Sequence, residues 1–269
     1  MNDFVHIAIS PDKNYFKHGL VMLKSLMHNN SEKKFFLHVL DGGIPIISKI
    51  RLYFFCKKNN LSYRIYKVDY SAIPRAPISH HITMAAYSRI FMASIIPSYI
   101  PKILYLDCDL LVLQNIDGLI NVDLAGNFVA AVKETYSQKD YKRLGISSEL
   151  PYFNSGVLYI NLVEWRKQKI EQTLIEFINT SQEQIFYHDQ DVMNYCFQNK
   201  WIHLDFHWNV THFFFYPEKF TPEYFGLSSK KYNEVKNNIK ILHFTGSGKP
   251  WKSECKHPLK KEYLTYKNL

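Results

Sequence analysis

Short runs of branched and aromatic residues alternate with helix-length amphipathic stretches through the first half of the chain. No other feature restricts the fold as much. Residues 5–9, 35–40 and 63–68 read as strands. Between them, 15–28 carries Leu20, Leu23 and Met27, and 44–56 carries Ile47, Ile50 and Phe54, both sets at helical spacing. A third striped helix is expected over 83–96, stopped by Pro97, followed by strands at 102–106 and 110–113. Strands alternating with helices imply parallel pairing through right-handed crossovers. Further strands are expected at 128–132, 156–161 and 240–244, with a helix at 163–179. Residues 202–238 read as aromatic, polar and irregular. With no internal repeat and no Gly/Ser- or Pro-rich linker, the expected organisation is one α/β domain, 1–251, and a basic aromatic tail, 252–269.

Composition narrows the class without choosing a function. Of 269 residues, 46% are apolar and 21% charged, which excludes a disordered or low-complexity chain. Lys+Arg exceed Asp+Glu by 33 − 24 = 9, which favours an anionic partner such as nucleotide phosphate, nucleic acid or acidic lipid. No apolar run reaches the roughly 18 residues that would span a bilayer. Cys56, Cys108, Cys196 and Cys255 stand singly, so they read as reduced thiols in a cytoplasmic protein.

Three constellations carry chemistry. Leu104-Tyr105-Leu106-Asp107-Cys108-Asp109-Leu110 ends an apolar strand with two carboxylates one residue apart. In extended backbone both face the same way, and open α/β sheets bind ligands at that end of their strands. Two adjacent carboxylates repel unless a cation lies between them; a hard divalent ion would serve and could also accept phosphate oxygens. A polar turn between strands is the competing reading. Ile241-Leu242-His243-Phe244-Thr245-Gly246-Ser247-Gly248-Lys249-Pro250-Trp251 places a histidine near a strand end. Two glycines there could let backbone N–H groups approach an anion, and Lys249 adds a charge. It is neither a P-loop nor a dinucleotide fingerprint, because Pro250 and Trp251 stand where those motifs need other residues. By itself, a histidine such as His243 at a strand end is more often a hydrogen-bonded core residue than a ligand, and Gly-Lys-Pro is commonly a turn. His188-Asp189-Gln190-Asp191 opens a helix, where acidic residues are ordinary caps.

Taken together and in order, these motifs resemble glycosyltransferase family 8, and its bacterial lipopolysaccharide branch more than glycogenin. The resemblance rests on Asp12, Asn14 and Tyr15; on His-Ile-Thr-Met-Ala-Ala-Tyr-Ser-Arg (81–89); and on Leu-Tyr-Leu-Asp-Cys-Asp. It continues through Tyr-Phe-Asn-Ser-Gly-Val-Leu-Tyr-Ile-Asn (152–161), Asp-Gln-Asp (189–191) and His-Phe-Thr-Gly-Ser-Gly-Lys-Pro-Trp (243–251). It implies a GT-A fold with a mixed, mostly parallel central sheet flanked by helices. It also implies a UDP-galactose or UDP-glucose donor, Mn²⁺ on Asp107, Asp109 and His243, and retention at the anomeric carbon. By position, Asp12, Asn14 and Tyr15 would hold uracil and ribose, with Ala8 and Cys108 completing the donor site. Arg89 would approach donor phosphate or sugar. Asn154, Asp189 and Gln190 would line the hexose, and Lys249, Gly246 and Gly248 would hold the diphosphate. Asp189, Gln190 and Lys249 are the expected catalytic residues, with Gln190 orienting rather than bonding.

The expected acceptor is a glycan or glycolipid such as lipopolysaccharide core, or another surface or protein-linked glycan. Lys133-Glu134-Thr135 departs from the family's acceptor stretch and does not identify it. The tail, with Lys252, Lys256, Lys260, Lys261, Lys267, Tyr263 and Tyr266, is expected either to touch the inner membrane's cytoplasmic face weakly or to remain a solvated charged tail. The sequence argues against two other classes. In a phosphatase of the Asp-x-Asp type the motif would continue differently after Asp109. A nucleic-acid binder would carry a basic helix or RNP-like aromatics, which this chain lacks.

Overall fold

A computed structural model describes residues 4–78, 83–135 and 138–269, so His81 and Ile82 of the quoted motif lie outside it. The first half follows the alternation. β1 (Phe4–Ile9), α1 (Phe16–His28), β2 (Lys34–Asp41), α2 (Ile46–Lys58) and β3 (Ser62–Lys67) form two successive β-α-β crossover units, with β1, β2 and β3 parallel. A 3-10 helix, Met84–Phe91, continues into the single turn α3 (Met92–Ile95), where a regular α-helix was expected. Then come β4 (Lys102–Leu106), β5 (Leu110–Val112), α4 (Asp117–Ile120), β6 (Val129–Glu134), α5 (Gln138–Leu144) and β7 (Tyr152–Asn161). α6 (Leu162–Lys167) and α7 (Ile170–Thr180) replace the continuous helix expected over 163–179, because Lys169 adopts φ +53° between them. α8 (Asp189–Phe197), β8 (Trp201–Leu204), β9 (Val210–Thr211), α9 (Ser229–Asn237), β10 (Ile241–His243) and α10 (Lys260–Asn268) complete the chain.

The main sheet runs β3-β2-β1-β4-β7-β6-β8. β7 alone is antiparallel to its neighbours β4 and β6, which makes the sheet mixed and mostly parallel. A second sheet, β5-β10-β9, pairs β10 antiparallel to β5 and parallel to β9. β4 and β5 therefore belong to different sheets, and Asp107-Cys108-Asp109 is the crossing between them.

Both faces of the main sheet are buried. One packs against α3, α6, α7 and α8 through Met92, Trp165, Leu174 and Phe197; the other packs against α1 and α2 through Leu23, Leu26 and Leu52. The irregular segment of the sequence forms a third, aromatic core on the second sheet. There Phe214 stacks on Phe225 with centroids 4.0 Å apart and on Tyr232 at 5.2 Å.

Two further expectations change. On α2 the core-facing residues are Ser48, Leu52 and Cys56, while Ile47, Ile50 and Phe54 point to solvent. Residues 260–268 are a packed helix: Tyr263 and Tyr266 are buried against α1, bonding His18 Nδ1 (2.6 Å) and the Asn29 amide (2.8 Å). Those two tyrosines are therefore not the surface-attachment residues they were expected to be, since aromatic burial against α1 outweighs exposure.

Candidate active site

β1, β2 and β4 are parallel, so their carboxyl ends share one edge, and the site is assembled where β4 leaves it. The Asp107 N–H donates to the Gly156 carbonyl on β7 (2.9 Å), which keeps Asp107 in line with the main sheet. The chain then turns. Cys108 is buried, and a Cβ on Gly19 of α1 would stand only 3.1 Å from its Sγ. The Asp109 carbonyl accepts from the Phe244 N–H (3.0 Å), and Leu110 pairs with His243 across the second sheet. The motif is thus a turn between strands. It is a turn pinned at both ends, with Cys108 directed inward and both carboxylates gathered beside His243.

Asp107, Asp109 and His243 offer ligand atoms within 4.8 Å of one another. His243 Nε2 lies 3.3 Å from Asp109 Oδ1 and 3.9 Å from Asp107 Oδ2. His243 Nδ1 donates to Asn209 Oδ1 (2.9 Å), which leaves Nε2 as the atom facing the carboxylates. The chain of hydrogen bonds continues: the Asn209 amide donates to Asn154 Oδ1 (2.8 Å) and the Asn154 amide to Glu134 (2.8 Å). Gly156 completes the cradle. A Cβ there would lie 2.3 Å from His243 Cε1 and 2.9 Å from Asp107 Oδ2, so a residue without a side chain lets the imidazole and the carboxylate approach. Two carboxylates, one imidazole nitrogen and a space kept clear by glycine fit a divalent cation.

Lys249 is buried beside this cluster. Its ammonium donates to Asp109 Oδ2 (2.5 Å) and to the Phe244 carbonyl (2.7 Å). Burial opposes ionisation of Asp109, but Lys249 and His243 hold its carboxyl well below the usual range. Gly246 adopts φ +77°, the left-handed conformation that favours glycine; Gly248 needs no such freedom.

Arg89, on the 3-10 helix, is committed inside the protein. Its guanidinium pairs with Asp107 Oδ1 (2.8 Å), lies 3.1 Å from Asp189 Oδ2, donates to the Ser155 and Ala86 carbonyls and covers the Tyr105 ring at 4.1 Å. It joins the metal-type carboxylate to the start of α8. Asp189 is buried there, and desolvation pushes its carboxyl up to about 6 against the pull of Arg89. Gln190 Oε1 accepts from the Ser155 N–H (3.0 Å), which fixes the orientation of its amide. Asp191 serves the fold: it accepts from the N–H groups of Phe186 and Tyr187 and from the Tyr152 hydroxyl. Preceding them, His188 holds φ +55°, ψ −130°, a strained conformation for a non-glycine residue.

At the other end of the edge, Asp12 Oδ1 accepts from the Asn14 and Tyr15 N–H groups (both 2.8 Å) and caps the turn into α1. Asn14 is exposed. Tyr15 packs edge-on to Trp251, which stacks on His18 at 3.4 Å. Ala8 is fully buried within β1, in register with His38 on β2 and Tyr105 on β4. The structure therefore brings Asp107, Asp109, His243, Lys249, Arg89, Asp189, Asn154 and Gln190 into one connected cluster, with Asp12, Asn14 and Tyr15 beside it. Gly156, Ser155 and Asn209 were not singled out from the sequence. The first two sit inside the quoted 152–161 run; Asn209 lies in the aromatic segment, with no motif to mark it.

Comparison with known proteins supports one grouping. The glycosyl transferase family 8 model matches residues 6–255. General stress protein A of Bacillus subtilis is 37% identical, covering 98% of this chain and 93% of that protein. A lipopolysaccharide 1,2-glucosyltransferase of Escherichia coli is 25% identical over 97% of this chain and 77% of its own length. Among solved structures, the galactosyltransferase LgtC superposes with a TM-score of 0.86 at 23% identity, covering 98% of this chain and 95% of that one. The fold is GT-A. The chain belongs to glycosyltransferase family 8.

Proposed function

We propose that this glycosyltransferase moves a hexose, galactose or glucose, from its UDP conjugate to a hydroxyl of a glycan or glycolipid, with retention at the anomeric carbon. The convergence of Asp107, Asp109, His243 and Lys249 at the sheet's carboxyl edge carries the reading. Asp107, Asp109 and His243 would hold the divalent cation; imidazole beside two carboxylates favours Mn²⁺ over Mg²⁺. Bound there, the cation supplies positive charge to the diphosphate. Lys249 and the backbone N–H groups around Gly246 and Gly248 stabilise the negative charge that grows on the β-phosphate as it departs. Asp12, Asn14 and Tyr15 receive uracil and ribose. Asn154, Asp189 and Gln190 line the hexose. Arg89, given its partners, acts by orienting Asp107 and Asp189 rather than by reaching the donor.

In the transfer, the bond from the anomeric carbon to the β-phosphate oxygen breaks and the acceptor oxygen bonds to that carbon from the same face. The hydroxyl proton passes to the departing phosphate oxygen. Gln190, its Oε1 held by Ser155, turns its NH₂ end to the sugar. Likeness to the E. coli lipopolysaccharide 1,2-glucosyltransferase supports lipopolysaccharide as the acceptor class. The test is a screen of UDP-galactose and UDP-glucose for UDP release onto glycan acceptors, with NMR of the product's anomeric proton. An α-linked product from one of these α-linked donors is expected; a β-linked product contradicts retention.

A further inference from the structure

Five of the large apolar side chains left in solvent stand on one helix. On α2, Ile46, Ile47, Ile50, Tyr53 and Phe54 are 45–73% exposed. At 3.6 residues per turn they cover about a third of the helix circumference. They lie opposite Ser48, Leu52 and Cys56, which face the core. Lys49 borders the stripe on one side, Arg51 and Lys58 border it on the other, and Lys57 closes its carboxyl end. α2 has no acidic residue; the nearby Asp41 is paired with Lys49 (2.6 Å). The basic surface continues across Lys24, which lies within electrostatic reach of Lys58 and donates to the Lys267 carbonyl at the end of α10. Leu264 and Leu269 are exposed there.

We propose that this face is a lipid-contacting surface, with α2 lying in the headgroup layer of an anionic bilayer. An apolar stripe this broad is unusual on a surface that only water touches. An apolar face bordered by Lys and Arg is the pattern of helices that lie in a membrane interface. Charge selects the occupant. A second copy docked symmetrically on this face would set Lys49, Arg51, Lys57 and Lys58 near their own equivalents, whereas anionic headgroups complement them. The chain's net charge of +9 acts in the same direction. α2 follows β2 at the carboxyl edge of the sheet, the edge that bears Asp107, so a molecule seated on α2 holds its cleft near the lipid surface. This inference does not depend on the donor or metal assignments.

The test is co-sedimentation of the full chain with phosphatidylcholine vesicles, with and without about 30 mol% phosphatidylglycerol. The protein is expected to pellet with the anionic vesicles, and less so as salt is raised. Ile47→Ser/Phe54→Ser should lower that partition by about tenfold or more. Lys57→Glu/Lys58→Glu should lower it and remove the salt dependence. All four positions are exposed, so both variants should keep the wild-type thermal midpoint. Failure to pellet with anionic vesicles, or pelleting that neither variant weakens, overturns the proposal. So does light scattering that shows a dimer broken by Ile47→Ser/Phe54→Ser with lipid partition unchanged, which would give the face to a second copy.

Discussion

Gly156 is the residue on which the geometry of the site turns. Its neighbours Asn154 and Ser155 bond outward to Asn209, Glu134, Arg89 and Gln190, while the glycine itself accepts the Asp107 N–H through its carbonyl and leaves the space of a side chain open. Gly156→Ala would place a methyl group where His243 and Asp107 approach each other. Both are held from behind, by Asn209 and Arg89, and neither can retreat without breaking a buried hydrogen bond. The expected outcome is a folded protein whose Mn²⁺ affinity, read by calorimetry, falls about 10–100-fold, with turnover falling alongside. Unchanged affinity would mean that the donors do not close on a common ion. The pairing of Asp107 with Asp109 was legible in the sequence because two carboxylates inside an apolar stretch are conspicuous. The part played by Gly156 was not, because a steric vacancy has no sequence signature of its own.

At the scale of elements, legibility followed periodicity. β1 to β3 and the helices between them lie close to where alternation placed them, with most apolar residues of β1, α1 and β2 buried in the core. α2 shows the limit of that argument. Its stripe at helical spacing is real but faces outward, and the core is served by Ser48, Leu52 and Cys56 instead. The tail was misjudged for a related reason. Lys260, Lys261 and Lys267 dominate its composition, yet α10 buries Tyr263 and Tyr266, two turns' worth of aromatic surface that close the third core over α1. Tyr263→Ala is therefore expected to destabilise the protein by about 3 kcal/mol or more, read from denaturant unfolding. Because His18 would lose its partner and Trp251 its ring neighbour, donor affinity should also weaken. A loss under about 0.5 kcal/mol, the scale of an ordinary surface substitution, would return 252–269 to the status of a tail.

For the molecule as a whole, charge and burial set the response to pH. Burial pushes His18 and His38 down to about 3, with neighbouring Lys17 near the first and His6 near the second acting in the same direction. The unfolded chain takes up these protons near pH 6.5, but the folded chain refuses them until far lower. Stability from these two histidines is therefore complete above about pH 6.5 and falls as pH drops toward 3, by about 2 kcal/mol each at pH 5. Asp189 and Glu134, both raised to about 6 by burial, oppose this in part, because their protonation on acidification favours the folded state. The thermal midpoint should fall between pH 7 and pH 5, and fall less in His38→Phe. A midpoint that rises on acidification would reverse the assignment of these imidazoles as neutral.

The two-sheet architecture exists at the active site to bring β4's carboxylates and β10's histidine together from opposite directions. The proposed transfer chemistry depends on that junction. That dependence is tested most directly by following UDP release from the preferred UDP-hexose while Mn²⁺ is titrated into chelated wild-type and Asp109→Asn proteins. Asp109→Asn keeps the shape of the side chain and removes one ligand charge. Release is expected to be absent in chelated wild type and restored by Mn²⁺, with Asp109→Asn folded, binding the ion weakly and turning over at least about 100-fold more slowly. Near-normal turnover by folded Asp109→Asn with the metal chelated would contradict the account.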